Sequence, residues 1–190
     1  RYLTAFQPGW GYLFFSLLVG AALCGGYVLL GAAWLILRTE GELQKKARAW
    51  TRWGLAWVAL GVALVSLATP MASELVRAKW FDFPRTLGLM LLPLATLAAW
   101  LWVWASVGKS DWKPFAGTVA IFALAFAGLA YSVFPYVVLG WLTVWDAAAH
   151  PSALKVMLAG VIVVLPFLVG YTVFAYRVFR GKAIAGLYGH

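Results

Sequence analysis

Six acids, two histidines and one cysteine are the first side chains to weigh in this chain for proton transfer, metal ligation or thiol chemistry. The acids are Glu40, Glu42, Glu74, Asp82, Asp111 and Asp146, and each falls between apolar runs or at the end of one. An ionisable side chain deep in an apolar helix is the usual mark of an ion or proton path; the run interiors carry none. His150 lies between two runs and His190 is the last residue, so neither sits in a helix interior where a haem or metal would be ligated. Cys24, among Gly and Ala, reads as a small buried apolar residue, and being alone it excludes an intrachain disulfide. Met71, Met90 and Met157 are scattered and read as packing. No glycine-rich phosphate loop or nucleophile motif is present. The residues thus predict no catalytic, cofactor-binding or metal-ligating position in this chain.

The elements that hold these few groups are set by composition. Of 190 residues, 64% are hydrophobic and 11% charged. A soluble domain of this size could not cover so much apolar surface with so few charges, so the fitting solvent is lipid. A membrane-spanning helix needs about 20 apolar residues, and only helices and closed barrels satisfy their backbone in a bilayer. The runs are continuous rather than alternating, which selects helices. The net charge of +9 suggests nucleic acid at first sight, but Lys and Arg sit at the ends of apolar runs. That is the pattern of membrane topology and anionic headgroups, and no nucleic acid is expected.

Five transmembrane helices are predicted, at about 11–37, 53–75, 85–107, 115–133 and 152–176. A short lead-in ends in Pro8-Gly9-Trp10. In the first helix Ala21 and Gly25, and Ala22 and Gly26, are small-xxx-small pairs that let another helix approach; packing inside one bundle is the plainer reading, dimerisation the other. A charged turn follows. Thr39 and Glu42 have the form of a capping box, with Glu42 and Lys46 spaced for an ion pair. Alternatively Gly41 ends the first helix as a left-handed cap, and the residues do not choose between the two. A short amphipathic stretch, with Leu43, Ala47 and Trp50 on one face, is expected at the interface before the chain re-enters at Trp53. Lys79-Trp-Phe-Asp-Phe-Pro84 is an aromatic cluster suited to headgroup depth. Pro93 and Pro166 predict kinks. The stretch Phe134–Pro151 is aromatic and nearly uncharged.

Orientation follows from counting cations. Arg38, Lys45, Lys46, Arg48, Arg52, Lys109, Lys113, Arg177, Arg180 and Lys182 fall on one set of loops; Arg1, Arg77, Lys79, Arg85 and Lys155 fall on the other. The first set is therefore expected in the cytoplasm, with the N-terminus outside and the C-terminus cytoplasmic. The chain opens at Arg1 beside an apolar run, which suggests the back portion of a longer polypeptide or one piece of a split one.

Four stretches, in order, resemble subunit II of cytochrome bd-type quinol oxidases, particularly the cyanide-insensitive branch. They are Gly25-Gly-Tyr-Val-Leu-Leu-Gly-Ala-Ala-Trp-Leu-Ile-Leu-Arg-Thr-Glu-Gly-Glu-Leu-Gln44, Ala78-Lys-Trp-Phe-Asp-Phe-Pro84, Phe134-Pro-Tyr136, and Leu142-Thr-Val-Trp-Asp-Ala147 with Lys155-Val-Met157. The resemblance is to that subunit's C-terminal half, over essentially all of the chain. It implies an all-α membrane protein, a four-helix bundle plus one further helix, in the bacterial cytoplasmic (inner) membrane. It also implies a haem-bearing subunit I that holds haem b and haem d, oxidises quinol and reduces oxygen to water. Subunit II in this family ligates no haem, and in some members it binds a structural quinone. The N-terminal half of subunit II, lipids and quinone are the remaining implied partners. Trp145 and Asp146 read either as a subunit-interface or path-mouth pair, or as an interfacial Trp and a helix-cap Asp. Arg38 and Glu40 read as a lock on the turn or a dock for subunit I, or as a simple interfacial ion pair. Competing readings are a fragment of a small transporter, against which the charge-free helix interiors count, and a lipid-interacting membrane scaffold.

Overall fold

The computed structural model describes residues 10–72, 77, 80, 85–138, 140–178 and 181–182. The expectations for the lead-in, for the aromatic cluster of 79–84 apart from Trp80, and for the tail beyond 182 with His190 lie outside them. The protein is an all-α membrane protein, with five long helices among the described residues: α1 (Trp10–Arg38), α2 (Gly41–Ala72), α3 (Arg85–Ser106), α4 (Lys113–Val133) and α5 (Pro151–Val178). Four of them are long and apolar enough to cross a membrane; in α3 the described apolar part, Met90–Ser106, is shorter. The chain divides into two compact units, one holding α1–α4 and the other, Phe134–Lys182, holding α5.

The predicted bounds hold to within a few residues except at α2. The amphipathic stretch before Trp53 is not a separate interfacial segment. It is the opening of a single 32-residue helix, about 48 Å long at 1.5 Å per residue. Neither Gly nor Pro interrupts residues 42–53, so nothing in the backbone breaks the helix there. Gly41, the first residue of α2, has φ 67°, in the left-handed region that glycine adopts without strain. The Thr39 hydroxyl does not serve the following helix; it donates back to the Leu35 carbonyl at 2.6 Å. The Glu42 carboxylate takes the Lys45 ammonium at 2.7 Å rather than reaching Thr39 or Lys46.

In the first unit α1 and α2 form one hairpin, α3 and α4 another, and α1 also packs on α4. The core draws on all four helices: Leu29, Leu55 and Val58, Val103 and Val107, and Ile121, with Ala99 and Trp100 against it. Glycines make the close approaches. A Cβ on Gly54 would lie 3.1 Å from the Leu29 Cα, and one on Gly61 would lie 2.7 Å from the Ala22 Cβ. The Trp57 indole occupies the space a Cβ on Gly25 would need, and Phe122 of α4 covers Gly26. The small residues of α1 therefore serve packing within one bundle. Two buried hydroxyls in these helices are satisfied locally: that of Thr51 donates to Ala47 O and that of Thr118 to Pro114 O, both at 2.8 Å.

Among the described residues three indoles reach across the bundle, one of them Trp80, whose Nε1 donates to Ser132 Oγ of α4 at 3.2 Å. Trp57 Nε1 donates to Ala21 O and Trp100 Nε1 to Leu55 O, each at 3.0 Å. Such bonds between helices contribute about 0.6 kcal/mol in a bilayer. Trp100→Phe should lower stability by about that amount, read as a small drop in the thermal midpoint of the detergent-solubilised protein. No change would mean that water or lipid replaces the bond.

The second unit contains an element the sequence did not announce. Strands β1 (Tyr136–Val138) and β2 (Leu142–Thr143) pair antiparallel, with Tyr136 opposite Thr143 and Val138 opposite Leu142, and a register shift in β1. Gly140, with φ 76°, supplies the turn. Then α5 starts with Pro151 at its first position, where a missing N–H costs nothing. The His150 carbonyl accepts from Ala153 and Leu154 N–H. Helix α5 runs on through Pro166, as α3 does through Pro93.

Candidate functional site

The residues singled out from the sequence fall in two places. Arg38 and Glu40 lie at the α1–α2 turn of the first unit. Trp145 and Asp146 follow the β-hairpin of the second.

At the first place the charged groups act as clamps on helix ends. The Arg38 guanidinium lies over the Trp34 ring, 4.7 Å from its centroid, a cation–π contact. Trp34 in turn meets Phe115 of α4 edge-on at 5.1 Å. Glu40 is exposed. The stronger fastening comes from residues not singled out beforehand. Gln44 Nε2 donates to Ile36 O at 3.0 Å, tying the start of α2 to the last turn of α1, where carbonyls lack helical partners. Arg48 Nη2 donates to Gln44 Oε1 at 2.9 Å and stands 3.6 Å from an Asp111 oxygen in the α3–α4 turn. Gln44 and Arg48 are one helical turn apart, a spacing visible in the sequence. Their contact with Asp111 was not visible, because it joins residues 63 apart. That contact puts the two basic turns at one end of the bundle, the arrangement the cation count requires.

At the second place Asp146 closes a small turn on itself. Its Oδ2 accepts from the Thr143 hydroxyl at 2.5 Å and from Thr143 N–H at 3.2 Å, and Asp146 N–H donates to Thr143 Oγ1 at 3.2 Å. It does not cap α5, which begins five residues later; at that position His150 Nδ1 meets the Ser152 hydroxyl at 2.8 Å. Trp145 packs edge-on against Phe134 at 5.7 Å and is otherwise exposed. The Thr143 hydroxyl first, then its N–H, hold the Asp146 carboxyl below its ordinary pKa. A depressed carboxyl stabilises the fold above its unfolded pKa, and the contribution is lost as pH falls through the folded value. The hairpin should therefore lose amide-exchange protection on acidification into the carboxylate range, and Asp146→Ala should show that loss already at neutral pH. Equal protection of variant and parent at neutral pH would refute this role.

A metal or haem would need donors gathered at one point. Among the described residues no three His, Cys, Asp or Glu side chains cluster. The His150 ring is turned to Ser152, and Met90 and Met157 are both exposed.

A sequence model of one family, described as cytochrome bd terminal oxidase subunit II, matches residues 4–179. The chain belongs to this family. A curated relative, cytochrome bd ubiquinol oxidase subunit 2 of Bacillus subtilis (strain 168), is 31% identical over 161 residues, covering 80% of this chain and 45% of the relative. The chain thus spans less than half the length of that subunit II relative. The helix-end clamps thus lie in a bundle that falls within the matched residues 4–179.

Proposed function

We propose that this chain is an accessory, non-haem-ligating membrane subunit of a bd-type quinol:oxygen oxidoreductase in a bacterial cytoplasmic membrane. The carrying observation is the subunit II family match across residues 4–179. The Bacillus subtilis relative, named as a ubiquinol oxidase subunit, supports it. In this reading subunit I carries haem b and haem d, oxidises quinol and reduces oxygen to water. This chain supplies the second half of subunit II beside it, and the N-terminal half of subunit II completes the fold. The basic turns face the cytoplasm, so the N-terminus is outside and the C-terminus inside. Arg38, Glu40, Trp145 and Asp146 are structural or subunit-interface residues. A structural quinone, if the complex holds one, shares the lipid-filled surface between subunits.

The chemistry asked of this chain is mechanical. Four helices pinned at one end by Arg48, Gln44 and Asp111 present a fixed apolar surface to a partner, and fixed surfaces hold redox groups at fixed distances. The test is to purify the protein from its native membrane in mild detergent and record reduced-minus-oxidised spectra. Bands of b- and d-type haem travelling with the chain are expected. Repeated purification of intact complexes without any haem protein would overturn the assignment.

A further inference from the structure

The exposed side of α2 carries a pattern of which the bundle uses only Trp57. Lys46, Trp50, Trp53, Trp57, Leu60 and Leu64 recur at helical spacing and form one ridge. All six are exposed, Trp53 at 77%. Beside the ridge run Ala49, Ala56 and Ala63, also exposed, a low strip against the tall indoles. Between Ala49 and Ala56, one turn before the latter, stands Arg52. Trp57 is held by its bond to Ala21 O, so its side of the ridge is fixed.

Depth follows from length. A hydrocarbon core is about 30 Å thick, so about 20 residues of α2 fill it, and the remaining dozen extend into the headgroup layer. All four cations of the helix, Lys45, Lys46, Arg48 and Arg52, lie in its first dozen residues. Two of them are already occupied: Lys45 by Glu42, and Arg48 by Gln44 and Asp111. Lys46 and Arg52 have no acidic partner among the described residues. Two exposed cations at phosphate depth, above an apolar strip walled by tryptophans, complement a molecule with an anionic head and a hydrocarbon tail. From Trp53 to Ala63 is ten residues, about 15 Å, the thickness of one leaflet.

We propose that this face of α2 binds an anionic phospholipid, its phosphate between Lys46 and Arg52 and an acyl chain along Ala56 and Ala63 beside the indole ridge. The site rests on the chain being membrane-embedded and not on the identity of any redox partner. Lipid binding is read without haem, so its failure leaves the oxidase assignment standing, and the reverse.

The test uses the complex as purified, washed in detergent until its lipid is removed, and then titrated with radiolabelled phosphatidylglycerol. The variant Lys46→Gln/Arg52→Gln is expected to bind about thirtyfold more weakly than the parent. Lys109→Gln, which removes one cation from the other turn, should bind as the parent does, and so should Lys46→Arg, which keeps the charge at position 46. Neither phosphatidylcholine nor inorganic phosphate should compete. Equal binding by the double variant would overturn the proposal. So would competition by phosphatidylcholine, which would mean a general lipid surface, or by inorganic phosphate, which would mean a free-anion site. Cross-linking of Trp53→Cys to a partner protein in native membranes would overturn it too, by showing the face covered by protein.

Discussion

Gly25→Ala should loosen α1 from α2. The added methyl would fall within the Trp57 indole ring. That ring cannot simply swing aside, because its N–H is bonded to Ala21 O one turn earlier on α1. Either the helices separate or the bond breaks. Overpacking of this kind costs about 1–3 kcal/mol, and the lost hydrogen bond adds to it. The measurement is the thermal midpoint of the detergent-solubilised protein, in a double-mutant cycle with Trp57→Ala. Alanine at position 25 should cost almost nothing once the indole is gone, because the two changes share one contact. An equal cost in both backgrounds would show that the damage arises elsewhere.

Leu55→Ala should be the other large loss, and its size carries information about the solvent. Leu55 is fully buried in the shared core of α1–α4. In water such a truncation costs about 2–5 kcal/mol, as a transfer term plus a cavity term. In a bilayer the separated helix exposes its leucine to lipid tails that are as apolar as the core, so the transfer term nearly vanishes. What remains is the packing lost around the cavity, about 1–2 kcal/mol. Leu60→Ala, on the exposed ridge, should cost close to nothing. The variant should still insert, because α2 stays apolar enough to span. Its defect should therefore appear as easier separation of the helices under harsher detergent, with expression in the membrane unchanged. A loss of membrane insertion instead would contradict this account.

Helix number and most helix bounds were legible, because a lipid-spanning run is a long, charge-free signal with charged or proline-rich ends. The small-xxx-small pairs of α1 were legible as packing sites too. Their partners were not: no pattern in one helix says that Trp57 will lie over Gly25 or Phe122 over Gly26. The start of α2 was misjudged because polar composition between Glu42 and Arg52 suggested an interfacial segment. Helix geometry is indifferent to that polarity when no residue breaks the backbone. At the turn the capping box read from Thr39 and Glu42 is not formed, because each side chain finds a nearer partner, Leu35 O and Lys45. The β-hairpin left a faint trace in Val137-Val138 and Leu142-Thr143 around Gly140, drowned by the surrounding aromatics. Among the candidate site residues, Asp146 had a helix cap as one of its two readings, and its hydrogen bonds go instead to Thr143, behind it and not in α5. Arg48 and Asp111 were legible only as charges on the same side.

The pairing of helices in the first unit also bears on how the protein is made. Helices α1 and α2 pack extensively on each other, and so do α3 and α4, whereas α2 and α3, joined directly by the chain, touch little. Each hairpin can therefore close within the bilayer using only neighbours in sequence. The first is already stitched by Trp57 to Ala21 and by Gln44 to Ile36 before residue 85 has been synthesised. The second hairpin then docks along α1 and is latched by Trp100 and Asp111. The order of translation becomes the order of assembly, and no helix has to wait in lipid for a partner encoded far downstream.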